Sequence, residues 1–117
     1  MKLLITGGTG FFGRALLRNW VRHEADGLSV PEITIVTRSI DTFLKNYPEF
    51  SNKSWLTLHE GNILYFESLP SRKFFTHILH AATESTIGPT IPTLQRYNEI
   101  VNGTRNILDY AVKNSIK

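Results

Sequence analysis

The chain of 117 residues contains no cysteine, which excludes disulfide frameworks, thiolate metal sites and cysteine nucleophiles together. Its apolar residues nowhere run to the ~18 needed to cross a bilayer. The opening Met1-Lys2-Leu3-Leu4-Ile5 gives way at once to Thr6-Gly7-Gly8, too short an apolar stretch for a signal-peptide core. These absences point to a soluble, cytoplasmic protein without a membrane partner. Charge of one sign is scarce as well. Thirteen Lys and Arg against ten Asp and Glu leave a net +3, scattered without basic runs, so no nucleic-acid partner is expected. His23, His59, His77 and His80 lack the spacing of zinc ligands, and no G-x-x-x-x-G-K-[ST] is present. A metal site and a nucleoside triphosphatase are both disfavoured. What remains is an ordinary globular composition, 41% apolar and 11% aromatic, for a single domain that buries about two-thirds of its unfolded surface.

Leu3-Leu4-Ile5, closed by glycines, suits a strand buried on both faces of a parallel sheet. From Phe12 onward Ala15, Leu16, Trp20 and Val21 recur near helical spacing among Arg14, Arg18 and Arg22, and Asp26-Gly27 supplies a stop. Ile33-Thr34-Ile35-Val36 reads as a second strand, and Asp41 as the N-cap of a short helix ended by Pro48. A third strand over residues 55–59 halts at Gly61-Asn62, residues 63–69 offer one helical turn, and a fourth strand occupies 75–82. After a Thr-, Gly- and Pro-rich loop, Leu94, Tyr97, Val101, Thr104, Leu108 and Ala111 share one face of a long helix. Strands alternating with helices require right-handed parallel crossovers, hence an α/β doubly wound sheet, for which the Rossmann-type strand order 3-2-1-4 is expected. The aromatic residues at 11, 12, 20, 43, 47, 55, 66, 74 and 75 are assigned to core and loop packing rather than to base stacking.

The sharpest signal is Thr6-Gly7-Gly8-Thr9-Gly10-Phe11-Phe12-Gly13, set between the first strand and the first helix. Gly7 permits a tight turn, Gly10 lets the backbone approach a pyrophosphate, and Gly13 brings the helix close to the sheet. The helix N-terminus, with its unpaired N–H groups and about half a positive charge, then faces the phosphates. That context makes the loop a dinucleotide-binding candidate.

The spacing is G-x-x-G-x-x-G, and with its flanking residues it resembles the opening of the extended short-chain dehydrogenase/reductases, the NAD(P)-dependent sugar-nucleotide epimerases and dehydratases. Gly61-Asn62-Ile63 resembles the Gly-Asp-(Val/Ile) of that family, His80-Ala81-Ala82-Thr83 its His-Ala-Ala stretch, and Gly103-Thr104-Arg105-Asn106-Ile107-Leu108 its Gly-Thr-x-Asn-Leu-Leu. The resemblance implies that Gly7, Thr9, Gly10, Phe11, Phe12 and Gly13 hold the pyrophosphate, Asn62 and Ile63 the adenine, and Ala81, Ala82 and Thr83 the inner ribose and nicotinamide. His80-Ala81-Ala82-Thr83-Glu84-Ser85 is most similar to the nucleotide-sugar 4,6-dehydratases, which places Glu84 and Ser85 beside a nucleotide-sugar substrate. Two positions depart from the pattern: Asn62 stands where the family has Asp, and Ile100 where it has an Asn that supports a local irregularity of the helix.

A site that prefers NAD offers a carboxylate at the end of its second strand. This chain offers Thr37-Arg38-Ser39, with an arginine able to make charge-assisted bonds, so NADP is expected with NAD as the alternative, Arg38 taking the 2′-phosphate and Arg14 adding to it. The resembled family works with a Tyr-x-x-x-Lys, and none of Tyr47, Tyr65, Tyr97 and Tyr110 opens one. The expectation is therefore that residues 1–117 are the N-terminal part of a dinucleotide-binding domain in a longer oxidoreductase or lyase, without catalytic residues of their own, the fifth strand and substrate domain lying beyond. A non-catalytic dinucleotide-binding redox sensor is the alternative. The fourth strand would then leave an open edge, through which we expect self-association.

Overall fold

The computed structural model describes residues 1–71, 74–81 and 92–116. Strands β1 (Lys2–Thr6), β2 (Glu32–Thr37), β3 (Leu56–Glu60) and β4 (His77–His80) form one sheet in the order β3-β2-β1-β4. All three pairings are parallel, with Leu3 beside Ile33 and His77, and Ile33 beside Leu56. Helix α1 (Phe11–Ala25) links β1 to β2, α2 (Ile40–Asn46) follows β2, and α3 (Thr93–Lys113) follows β4. Two single 3₁₀ turns, Pro48–Phe50 and Phe66–Ser68, flank β3. The expected Rossmann-type order is therefore the observed one.

Successive side chains of a strand point to opposite faces, and β1 divides its apolar run accordingly. Leu3 and Ile5 join Ile33 and Ile35 under α1 and α2, packed with Leu17, Phe43, Phe50 and Trp55. Leu4 goes to the other face with Val36, Leu69, Phe75, Ile107 and Tyr110. Within the first cluster the Phe43 and Phe50 rings stack at 5.5 Å, and the Arg14 guanidinium lies 4.4 Å above the Tyr47 ring.

Several expectations need correction. The residue that α1 buries completely is Leu17, whereas Ala15 is exposed and Leu16, Trp20 and Val21 are only half-buried. Ser39, not Asp41, is the N-cap of α2: its Oγ accepts from the Thr42 N–H at 3.2 Å, and Asp41 lies in the first turn. Strand β4 is shorter than residues 75–82, because Phe75 turns into the core and Thr76 hydrogen-bonds back to Lys2 before pairing begins. The largest difference lies in α3. Its buried residues are Gly103, Ile107 and Tyr110, while Leu94, Tyr97, Val101 and Leu108, assigned to one apolar face, are exposed. Phe11, Phe12 and Phe74 are exposed too and do not pack in a core. No helix among the described residues is long and apolar enough to cross a membrane.

Candidate functional site

The strands end together at Thr6, Thr37, Glu60 and His80, and every sequence-predicted site residue that is described lies at or just beyond those ends, where parallel α/β sheets place their ligands. The turn after β1 is built by contact between glycines. Gly7 has φ +74°, a conformation that favours glycine. A Cβ on Gly13 would lie 2.3 Å from the Gly8 carbonyl oxygen, so α1 touches the loop backbone directly. Gly8, which the 7, 10, 13 spacing passes over, is the glycine that meets the sheet: a Cβ there would come within 2.8 Å of the Ile35 side chain on β2. Gly13 was expected in that role. The Gly7-Gly8 doublet was the available signal.

Gly10 is the N-cap of α1, makes no side-chain cap bond, and is followed by a first turn without acidic residues. A Cβ there would have one atom within 4 Å, the Gly7 carbonyl oxygen at 3.4 Å, so its outer side is open. An open glycine at the head of a 15-residue helix whose leading N–H groups no side chain caps among the described residues offers what a pyrophosphate requires. Phe11 and Phe12 stand exposed beside it, edge to face at 5.5 Å, and Thr9 is half-buried.

Arg38 is exposed and makes no ion pair among the described residues. Its neighbours are occupied: Thr37 Oγ1 bonds the Ser39 backbone, and the Ser39 hydroxyl donates to Thr42 Oγ1 at 2.9 Å. Arg14, the other candidate, is drawn away, since Tyr47 lies at the opposite end of α2 from the Arg38 turn.

Beyond β3, Asn62 Oδ1 accepts from the Leu64 N–H at 2.9 Å, and its NH₂, without a partner among the described residues, is the group left for a ligand. The Ile63 carbonyl accepts from Asn106 Nδ2 of α3 at 2.8 Å. This bond anchors the expected adenine loop, and only the fold brings its partners together.

The end of β4 is tied to β1 and α3 by a chain of hydrogen bonds. The fully buried Thr6 hydroxyl lies 2.6 Å from His80 Nδ1, and His80 Nε2 lies 3.2 Å from the Thr104 hydroxyl. Burial lowers the His80 pKa from its ordinary value. Ala81, exposed, donates its N–H to the Thr6 carbonyl at 3.0 Å. Ala82, Thr83, Glu84 and Ser85 lie outside the described residues. Tyr110 is a structural post: it is buried, its hydroxyl donates to the Pro70 carbonyl at 2.6 Å, and burial raises its pKa. Ile100 sits in an uninterrupted α3, without the irregularity the family's Asn supports. A groove of about 860 Å³ along the polar side of α3 is lined by residues that include Leu64, Asn98, Asn102 and Asn106, and by none of the glycine loop. No cluster of metal-ligating side chains occurs among the described residues.

The model of the NAD dependent epimerase/dehydratase family matches residues 3–117. The chain belongs to that family. Among solved structures, dTDP-glucose 4,6-dehydratase from Streptomyces venezuelae, solved with NAD bound, is 24% identical with a TM-score of 0.78, covering 99% of this chain and 37% of that one. The UDP-Glc/GlcNAc 4-epimerase of Campylobacter jejuni is 19% identical with a TM-score of 0.72, over 98% of this chain and 34% of its own. A thiolation-reductase di-domain from an archaeal non-ribosomal peptide synthetase is 18% identical with a TM-score of 0.70, over 96% and 32%. This epimerase/dehydratase-family chain thus spans about a third of the length of the structures it matches. No curated protein matches it by sequence.

Proposed function

We propose that residues 1–117 form the dinucleotide-binding portion of an epimerase or dehydratase acting on a nucleotide-activated sugar, with NADP preferred over NAD. The observation that carries this reading is the open, uncapped head of α1 at Gly10, fixed against the sheet by the glycine contacts on either side of it. Family membership agrees with it. The bound nicotinamide would supply reversible hydride exchange with a sugar carbon.

The chain's own contribution is binding and orientation. The backbone from Gly7 to Gly13, with the Thr9 hydroxyl, receives the pyrophosphate where the helix carries positive potential. Arg38, which makes no ion pair among the described residues, takes the 2′-phosphate. The Asn62 amide donates toward a ring nitrogen of adenine, a polarity opposite to that of the acid the family has there. Ile63 supplies an apolar wall, and Ala81, Ala82 and Thr83 border the inner ribose, with Glu84 and Ser85 toward the sugar. No catalytic role is assigned to this stretch, because Tyr110 spends its hydroxyl on Pro70 within the core. Self-association through the outer edge of β4, which pairs with no other strand among the described residues, is part of the proposal. A monomer by sedimentation at high concentration counts against it.

Calorimetric titration with NADP and, separately, NAD tests the cofactor assignment. Tighter binding of NADP is expected, and Arg38→Ala should weaken NADP by roughly tenfold or more, the equivalent of about 1.5–3 kcal/mol for a charged hydrogen bond, while leaving NAD nearly unchanged. Tighter binding of NAD by the unaltered chain overturns the NADP assignment. Failure of both dinucleotides to bind the folded chain overturns the site.

A further inference from the structure

The turn from β2 into α2 carries a second charge besides Arg38. Glu60 closes β3 in register with Thr37 of β2, and the Gly61 N–H donates to the Thr37 carbonyl at 2.9 Å, so the two strands are held side by side to their last residues. From there Glu60 Oε1 accepts the Ile40 N–H at 3.2 Å. The exposed carboxylate thus reaches across the tip of β2 to the first residue of α2. The acid that Thr37-Arg38-Ser39 lacks is supplied by the neighbouring strand.

We infer that Glu60 is a second determinant of dinucleotide choice, opposing the 2′-phosphate that Arg38 attracts. The inference rests on the dinucleotide reading above and sharpens it. Thr37 and Ser39 have turned their hydroxyls to local partners, so at the ends of β2 and β3 Arg38 and Glu60 are the charged groups offered to a ribose substituent, with Asp41 set further along in the first turn of α2. A ribose 2′-hydroxyl donates to a carboxylate. A 2′-phosphate brings close to two negative charges beside one already present. The two side chains therefore act on the affinity ratio with opposite sign, and the preference for NADP is narrower than Arg38 alone would set.

The test is the ratio of NADP to NAD affinity, measured by titration of the 117-residue chain and of three variants. Glu60→Gln keeps an oxygen for the Ile40 N–H and removes only the charge; it should raise the ratio in favour of NADP by about five- to tenfold, the scale of one unit charge acting near a protein surface. Glu60→Ser gives up the Ile40 bond as well, and should move the ratio the same way even where both affinities fall. Asp41→Asn, the neighbouring acid in the first turn of α2, should leave the ratio within about twofold, as expected of a screened surface charge. An unchanged ratio in both Glu60 variants, or an equal shift in Asp41→Asn, overturns the role of Glu60 while leaving the site intact. Absence of any dinucleotide binding by the folded chain overturns the site and this role together.

Discussion

Under α1 and α2 the sheet buries Leu3, Ile5, Ile33 and Ile35 against Leu17 and the rings of Phe43, Phe50 and Trp55, and the half-buried Trp20, Val21, Leu44 and Tyr47 fill in around them. Under α3 the opposite face closes over Leu4, Val36 and Ile78 with Ile107, Tyr110 and Phe75, while α3 also carries Leu94, Tyr97, Val101, Leu108 and Val112 on its exposed side. The first face is held by volume: interlocked rings and a leucine with no exposure. The second relies more on polar pins, with Tyr110 on Pro70, Asn106 on Ile63, and His80 between Thr6 and Thr104. The difference shows that one sheet can be stabilised on its two sides by different physics.

Substitutions can break that contrast, beginning with the largest expected effect. Leu17→Ala, at a completely buried site between α1 and the sheet, should cost about 3–5 kcal/mol, through lost transfer energy and the cavity left behind. Chemical denaturation would read this directly, and a cost below about 1 kcal/mol would mean that the face is loosely packed. Tyr110→Phe should cost less, about 1–2 kcal/mol, since it leaves the Pro70 carbonyl unpaired with little change in volume.

The smallest effect concerns His80 and depends on pH. Its folded pKa lies below the ordinary 6.5 because burial disfavours the charged ring. As pH falls below about 6.5 the unfolded chain takes up the proton first, so stability is whole above that value and declines as pH drops toward the folded pKa. Denaturation midpoints compared at neutral and mildly acidic pH should show this slope, and His80→Asn should lose His80's share of it. A slope identical in the variant would remove His80 from the explanation.

Much of the frame was legible in the residues. Both faces of β1 and β2 are buried, so short β-branched and aliphatic runs between glycine-bearing turns had one reading, and the glycine loop declared itself by its position between a strand and a helix. The core face of α3 was not legible, for a definite reason. The helix has two apolar stripes, and the one that meets the sheet includes Gly103, which hydrophobic periodicity does not count, whereas the exposed stripe is longer and more aliphatic. Gly8 was passed over for a related reason, as a residue with no side chain whose importance lies in what Ile35 occupies. Glu60, Thr6 and Thr104 acquire their roles from strand register and helix docking, which link residues far apart in the chain. The expected contacts at residues 82–85 lie beyond the described residues.

The order of the strands also has a consequence in time. Leu3 pairs with Ile33 on one side and with His77 on the other, so a chain emerging from its N-terminus can join β1, β2 and β3 and close the aromatic face before β4 exists. During that interval Leu4 and Val36 lack the cover of Ile107 and Tyr110, which come later still. The strand born first is thus the last to find both its neighbours, and the interval before β4 docks is when this sheet is most open to pairing with the wrong chain.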